Sequence, residues 1–188
     1  MKKININNLI YSIALFFLVS SNLLCNVKFV MPYLLFFKFF SYILFFFHGT
    51  LLLLKDGKVR SKILLIIFFS LFIGILSYYI TENSLLLDLF FVLYASAEKK
   101  FDDVLKTDLV IKIIITIIIL FSYVSGQTIS RFLVTRDNEY IRNSFGFYHP
   151  NTFGMYVMMI YFEFVALSKK INFKKILLGI VTIFIIYF

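Results

Sequence analysis

Long apolar runs separated by short charged segments decide what this sequence can fold into. A helix needs about 17 to 25 mainly apolar residues to cross a hydrocarbon layer of about 30 Å, and lipid offers no partners for an open backbone. The runs are residues 9–25, 29–54, 63–80, 85–97, 109–126 and 152–168, with a further run that begins near Ile176. We therefore predict an all-α protein, a polytopic bundle of transmembrane helices.

The composition agrees with a membrane protein. Hydrophobic residues make up 61% of the 188 residues and charged residues 15%, whereas a soluble domain is about half apolar and about a quarter charged. A net charge of +9 would suggest nucleic acid as a partner of a soluble protein. Here most lysines flank apolar runs and no soluble basic domain is apparent, so we predict contact with the lipid bilayer and no binding to nucleic acid.

The distribution of basic residues predicts the orientation of the spans. If the N-terminus is cytoplasmic, the inner segments are MKK, KDGKVRSK, EKKFDDVLK and SKKINFKK. These segments carry 13 lysines and arginines, against four in the outer segments. Basic residues concentrate on the cytoplasmic side of membrane proteins, which supports this orientation. The segment EKKFDDVLKTD is predicted to be a solvated connector, with a short helix on the cytoplasmic surface as the alternative.

The last apolar run is shorter than the others. From Ile176 to Phe188 it contains 13 residues, which rise about 20 Å as an α-helix and fall short of a normal span. The prediction is therefore six full spans plus a truncated seventh. Residues 1–188 would form a single membrane domain and would be the N-terminal part of a longer protein.

The cysteine and carboxylate content limits the chemistry. Cys25 is the one cysteine, which excludes an intramolecular disulfide and a Cys-x-x-Cys metal or redox site. Leu24 is too bulky for the small residue that precedes a lipoprotein cysteine. Because no A-x-A-like cleavage site follows and more apolar runs come after it, residues 9–25 are predicted to be a first span rather than a cleaved signal. Because no cluster of carboxylates resembles a magnesium site, we predict no metal and no cofactor.

The long loop on the outer face, residues 127–150, contains three arginines: Arg131, Arg136 and Arg142. Basic residues on this side run against the positive-inside bias. A loop tolerates a few of them without any function, and the alternative is an anionic ligand at the outer leaflet. Arginine suits phosphate because its planar, permanently charged fork offers paired donors. The three arginines are therefore candidate phosphate ligands.

The sequence HPNTFG follows these arginines. Pro150 biases His149 away from helical geometry, and either Asn151 or Thr152 is predicted to be the N-cap of the sixth span. The start of that helix would offer free amides and the positive end of its dipole to an anion. Since imidazole titrates near neutral pH, His149 is a candidate proton acceptor. The alternative is a loop histidine that only packs or hydrogen-bonds.

Ionisable side chains inside predicted spans are costly in a membrane and are therefore candidate functional groups. Lys38 can extend towards the outer surface, where it is a candidate contact for a lipid phosphate; extension without function is the alternative. Lys112 is predicted to extend to the inner face. Glu163 is predicted to lie at the interface or to pair with another helix, and His48 is predicted to be interfacial.

The stretch RNSFGFYHPNTFG, residues 142–154, resembles a known signature. It is similar to the Arg-x-x-x-Gly-Phe-x-His-Pro-Asn-x-x-Gly motif of bacterial polysaccharide polymerases, in the O-antigen polymerase and ligase superfamily. The position of the motif after an outer loop, ISRFL upstream of it, and the segment FFVLYASAEKKFDDVLK are also similar to this family. The resemblance implies a multi-pass protein of the bacterial cytoplasmic membrane that acts in capsule or exopolysaccharide synthesis.

The resemblance also implies a reaction and its partners. Two polyprenyl-diphosphate-linked oligosaccharides would be joined on the outer face, and other polysaccharide export proteins would be partners. The diphosphate-binding residues would be Arg131, Arg136, Arg142 and Asn151. Arg142 would act directly in catalysis by stabilising the leaving diphosphate, and His149 would be the general base for the attacking hydroxyl. Asp137 and Glu139 are the next candidates for that base.

Three other functions are compatible with the sequence. A ligase of the same superfamily would transfer a whole glycan to another acceptor. A transporter would flip a polyprenyl-linked glycan or carry an anion, and would need polar groups along its spans, for which Lys38, Lys112 and Glu163 are candidates. The short last run is also compatible with an inactive remnant of a larger protein.

Overall fold

The computed structural model describes residues 6–55, 61–97, 99–129, 132–134, 141–168 and 172–187. Within these residues the chain is almost entirely helical, as predicted, and it contains seven α-helices and one short antiparallel strand pair. The helices are α1 (Ile6–Leu23), α2 (Leu34–Lys55), α3 (Ser61–Thr81), α4 (Leu85–Ser96), α5 (Phe101–Val124), α6 (Pro150–Leu167) and α7 (Phe173–Tyr187). The strands β1 (Phe132–Val134) and β2 (Ile141–Asn143) lie between α5 and α6.

Several helices have the length and composition of membrane spans. In the described part of the chain, three helical segments are long and apolar enough to cross a membrane: Asn8–Asn26, Met31–Leu54 and Leu64–Thr81. Large apolar side chains on them point outward, including Leu35, which is 83% exposed, and Phe68, which is 73% exposed. Such a surface is unfavourable in water and favourable against lipid tails, which supports a membrane location. The helix α4 is apolar but shorter, with 12 residues.

The start of α5 differs from the prediction. The segment EKKFDDVLKTD was expected to be a solvated connector, but from Phe101 onward it is helical and continuous with the apolar part of α5. The charged residues do not interrupt the helix because Asp102 and Asp103 lie in its first turn, where the helix dipole favours negative charge. The charged segment therefore lengthens the fifth helix.

The chain divides into two compact units. The first comprises Met1–Leu18 and Phe36–Lys100, and the second comprises Val19–Leu35 and Phe101–Phe188. In the first unit α3 packs against α4. A Cβ atom at Gly74 would lie 3.3 Å from the Leu87 Cα, so glycine allows the two helices to approach closely at this point.

The second unit contains the packed helices α5, α6 and α7 together with the strand pair. The Tyr161 hydroxyl donates to the Lys175 carbonyl over 3.1 Å and joins α6 to α7. The segment after α1 pairs with the segment after α5: the Lys28 amide donates to the Gln127 carbonyl at 3.0 Å, and the Ile129 amide donates to the Asn26 carbonyl at 3.1 Å. These bonds fix the beginning of the 127–150 loop.

Candidate functional site at the start of helix α6

The strand pair brings part of the predicted arginine cluster into regular structure. Strand β1 pairs antiparallel with β2, and Arg142 lies opposite Leu133 in the register. Arg142 is therefore held in an extended backbone two residues before the turn that leads to α6. Arg131 and Arg136, with the alternative bases Asp137 and Glu139, lie outside the described residues.

A tight turn follows β2 and is built by Asn143. The Asn143 side-chain oxygen accepts the Phe145 amide at 2.9 Å, and its side-chain nitrogen donates to the Tyr123 hydroxyl at 2.5 Å. Phe145 and Gly146 then adopt left-handed backbone angles, with φ of 48° and 87°. An asparagine side chain that bonds to the backbone two residues later is a common way to start such a turn. The turn reverses the chain against the end of α5.

Phe147 anchors this turn in the protein interior. Its side chain is fully buried and packs against the rings of Phe153 and Tyr156, with ring centroids 5.4 and 6.0 Å apart. Its carbonyl accepts a hydrogen bond of 2.7 Å from the side-chain nitrogen of Asn26, which is also buried. The Gly-Phe part of the RNSFGFYHP stretch is therefore structural, since it fixes where α6 begins.

His149 begins the helix, which corrects the predicted N-cap. The prediction placed the cap at Asn151 or Thr152, but α6 starts at Pro150 and its cap is His149, with φ −148° and ψ 146°. The His149 Nδ1 accepts the Asn151 amide at 3.1 Å. Proline is favoured at the first helical position because its φ already suits a helix and it has no amide to satisfy. The predicted departure of His149 from helical geometry is confirmed.

The hydrogen bond from the Asn151 amide determines which nitrogen of the His149 imidazole can bind a ligand. Because Nδ1 accepts the Asn151 amide, the neutral ring that keeps this bond carries its proton on Nε2. In this form His149 is a hydrogen-bond donor through Nε2, which suits an anionic oxygen. To accept a proton from a sugar hydroxyl, the ring must release the Asn151 amide. The half-buried His149 and the exposed Asn151 leave this part of the helix start accessible.

Lys38 belongs to the first compact unit and forms an ion pair there. Its Nζ lies 3.4 Å from the Asp88 Oδ2 and also donates to the Ser84 hydroxyl. The Tyr42 hydroxyl donates to the other oxygen of Asp88. The ammonium predicted to contact a lipid phosphate thus already has a carboxylate partner, so a phosphate would have to compete with Asp88.

Three other ionisable side chains that were predicted to lie in spans are buried: Lys112, Glu163 and His48. Glu163 of α6 pairs with Lys112 of α5, which confirms the predicted pairing of Glu163 with another helix. Lys112 was expected to extend to the inner face, but it is 4% exposed because two carboxylates hold it within the helix pair. His48, predicted to be interfacial, is buried against the ring of Tyr11, with centroids 5.9 Å apart.

Replacing Gly146 by alanine tests the tight turn. Alanine is strained at φ 87°, and its Cβ would lie 3.0 to 3.1 Å from atoms of Ile119, Thr128 and Tyr123. We expect the free energy of unfolding to fall by about 1–3 kcal/mol, measured by thermal unfolding in detergent micelles. Gly126→Ala is the matched control, because Gly126 has φ 69° and no atom within 4 Å of the new Cβ. Equal losses of stability in the two variants would contradict a close contact at Gly146.

The sequence indicated the histidine and proline of this site but not the residues that support them. Asn26 bonds to Phe147, which is 121 residues away in the sequence. Tyr123 bonds to Asn143, which is 20 residues away. The sequence signal for Asn26 is a polar side chain at the end of an otherwise apolar run. Among the residues that the structure describes, no group of three or more His, Cys, Asp or Glu side chains is placed to hold a metal ion.

No protein-family model matches the chain, and no curated protein and no solved structure matches it either.

Proposed function

We propose that this chain is a multi-pass protein of the bacterial cytoplasmic membrane that joins polyprenyl-diphosphate-linked oligosaccharides on the outer face. In this proposal α1 to α6 are spans, α7 is a further membrane helix, and the N-terminus is cytoplasmic. The observation that carries the proposal is the start of α6, where His149 caps the helix and Asn151 is exposed beside it. A helix start with an imidazole donor is suited to an anionic group such as a diphosphate.

In the proposed reaction, the hydroxyl of the acceptor sugar attacks the anomeric carbon of the donor glycan. The new carbon–oxygen bond forms as the bond from the anomeric carbon to the diphosphate oxygen breaks, and the diphosphate leaves with the electron pair. Arg142, together with Arg131 and Arg136, would stabilise the negative charge that develops on the leaving group. The exposed end of α6, including Asn151, would hold the diphosphate oxygens.

His149 has two proposed roles in this reaction. In the capped form its Nε2 proton would be donated to a diphosphate oxygen. As a general base it would take the proton of the attacking hydroxyl, but only while the bond from the Asn151 amide to Nδ1 is broken. The two roles differ in whether an asparagine can replace the histidine, because asparagine caps helices and donates hydrogen bonds but does not accept a proton at neutral pH.

We expect Arg142→Ala and His149→Ala to abolish long polymer. The variants are expressed in a bacterium in which this protein supplies the polymerase, and chain length is read on gels while membrane insertion is followed in membrane fractions. Lys28→Ala is the control for the loss of a basic residue. The Lys28 ammonium donates to the Gly126 carbonyl and has no role in the proposed reaction, so this variant should keep long polymer. Wild-type chain lengths in both Arg142→Ala and His149→Ala would refute the proposal.

A third variant separates the two roles of His149. If the capped imidazole acts as a donor, His149→Asn retains part of the polymer that His149→Ala loses. If His149 is the base, both variants lose it equally. A product that grows as a ladder of repeats indicates a polymerase, whereas one transferred block indicates the ligase.

Transport is the second candidate function, and a specific observation favours it. The ionisable groups of the described helices form two clusters, because Lys38 pairs with Asp88 and Lys112 pairs with both Asp108 and Glu163. Polar clusters between membrane helices often mark transport pathways. Purified protein in vesicles that moves labelled polyprenyl-linked glycan across the bilayer, without any change in glycan length, would support transport over polymerisation.

A further inference from the structure

The helices α5 and α6 enclose a cluster of three ionisable side chains that the proposed glycosyl transfer does not use. The Lys112 ammonium donates to the Asp108 Oδ2 at 2.6 Å and to the Glu163 Oε1. Asp108 lies one turn before Lys112 in α5, and Glu163 reaches the ammonium from α6. The side chains of Lys112 and Glu163 are 5% and 9% exposed, so both charges lie in the interior of the helix pair.

The charges of this cluster do not balance when every group is ionised. Two carboxylates face one ammonium, which leaves a net charge of −1. The Asp108 side chain is 24% exposed, whereas Glu163 is 9% exposed, so an uncompensated charge is least favourable on Glu163. One carboxylate oxygen is also unsatisfied: the Glu163 Oε2 is buried and has no hydrogen-bond partner. The Asp108 and Glu163 carboxyl groups contact the same ammonium nitrogen, so they lie side by side at Lys112.

The groups around Glu163 leave that charge uncompensated. From α6 itself, Tyr156 interacts with both carboxylates but is neutral in its ordinary form. From α5, Asp108 and Lys112 are the interacting charges. The helix α7 carries two lysines in its first turn, and it contacts α6 through Tyr161. Since Tyr161 precedes Glu163 by two residues, about 200° around the helix, α7 packs on a different side of α6.

We propose that Asp108 and Glu163 share one bound proton beside Lys112, which makes the α5–α6 pair a proton-binding site. The proton bonds to the Glu163 Oε2 and is donated to Asp108. It satisfies the oxygen that otherwise has no partner and brings the net charge of the cluster to zero. The site is separate from the start of α6, because Glu163 lies 14 residues, about 21 Å of helix, beyond His149.

Infrared spectroscopy of the purified chain in lipid nanodiscs tests this proposal at neutral pH. A protonated carboxyl group has a carbonyl band that is distinct from the bands of carboxylates and that shifts in heavy water. We expect this band in the wild-type protein and its loss in Glu163→Gln. We also expect its loss in Asp108→Asn, because the remaining Lys112–Glu163 pair is neutral without a proton. Asp103→Asn, an exposed carboxylate in the same helix, should keep the band.

Two results would overturn the proposal. One is a wild-type spectrum without the band, which would make the cluster a fully ionised structural pair. The other is an undiminished band in Glu163→Gln or in Asp108→Asn. A hydrophobic carbodiimide gives a second readout that needs no variant, since it reacts with protonated carboxyl groups in apolar surroundings. Mass spectrometry should find the label on Glu163 or Asp108, and the absence of label on both would count against a shared proton.

Discussion

Lys112→Met is expected to lower the free energy of unfolding by about 3–5 kcal/mol, because it removes the ammonium that balances the charge of the Asp108 and Glu163 carboxyl groups. Methionine is similar to lysine in length, so the loss reports the charge rather than a cavity. For a chain of this size the change corresponds to a fall of roughly 6–20 °C in melting temperature. Thermal unfolding in detergent micelles, followed by circular dichroism, measures it.

A second lysine of α5 provides the control for this variant. Lys106 is exposed and precedes Lys112 by six residues, so Lys106→Met should change the melting temperature little. Adding Glu163→Gln to Lys112→Met should recover part of the stability, since it removes the more deeply buried carboxylate. If Lys112→Met and the wild type had the same melting temperature, the ion pair would make no contribution to the stability of the fold.

The fold class and the approximate helix positions could be predicted from hydropathy. The apolar run at residue 85 begins where α4 begins, at Leu85, and the strong apolar runs near the N-terminus correspond to α1 and α2. Hydropathy does not identify helical residues that are charged, which is why the predicted fifth run starts eight residues after Phe101. Helix continuity depends on backbone hydrogen bonds and the helix dipole, and both tolerate charged residues in a first turn.

The N-cap of α6 was misplaced by two or three residues for a specific reason. Preference for Asn or Thr at an N-cap reflects a short side chain that accepts a backbone amide. In this chain the imidazole of His149 provides that acceptor, and Pro150 fixes the first helical residue. The rule for proline at the first position would have predicted the boundary correctly, whereas residue preference at the cap did not.

The partners of the buried groups could not be obtained from the sequence. Glu163 was expected to lie at the interface or to pair with another helix, and its partner Lys112 is 51 residues away. The bond from Asn26 to the Phe147 carbonyl spans 121 residues. A single sequence has no periodic signal for such pairs, because they depend on how helices pack rather than on local spacing. The Asp108–Lys112 pair is different, because the spacing of four residues within one helix could have predicted it.

A second substitution measures how much the turn before α6 contributes to the free energy of unfolding. Phe147→Ala is expected to cost about 3–5 kcal/mol, because it removes a fully buried ring from its contacts with Phe153 and Tyr156. The cavity cannot close easily, since the Phe147 backbone is fixed by the Asn26 side chain and by the Ser144 carbonyl. The melting temperature in detergent micelles gives the measurement.

The adjacent aromatic residue, Tyr148, is the control that distinguishes the loss of a buried ring from the loss of any aromatic ring. Tyr148 is 53% exposed, so Tyr148→Ala should cost much less than Phe147→Ala. Because Phe147 lies two residues before the helix cap, its loss should also loosen the His149–Asn151 bond and increase amide exchange in the first turn of α6. Equal costs for the two substitutions, with unchanged exchange at Asn151, would show that the Gly-Phe turn does not hold the start of this helix.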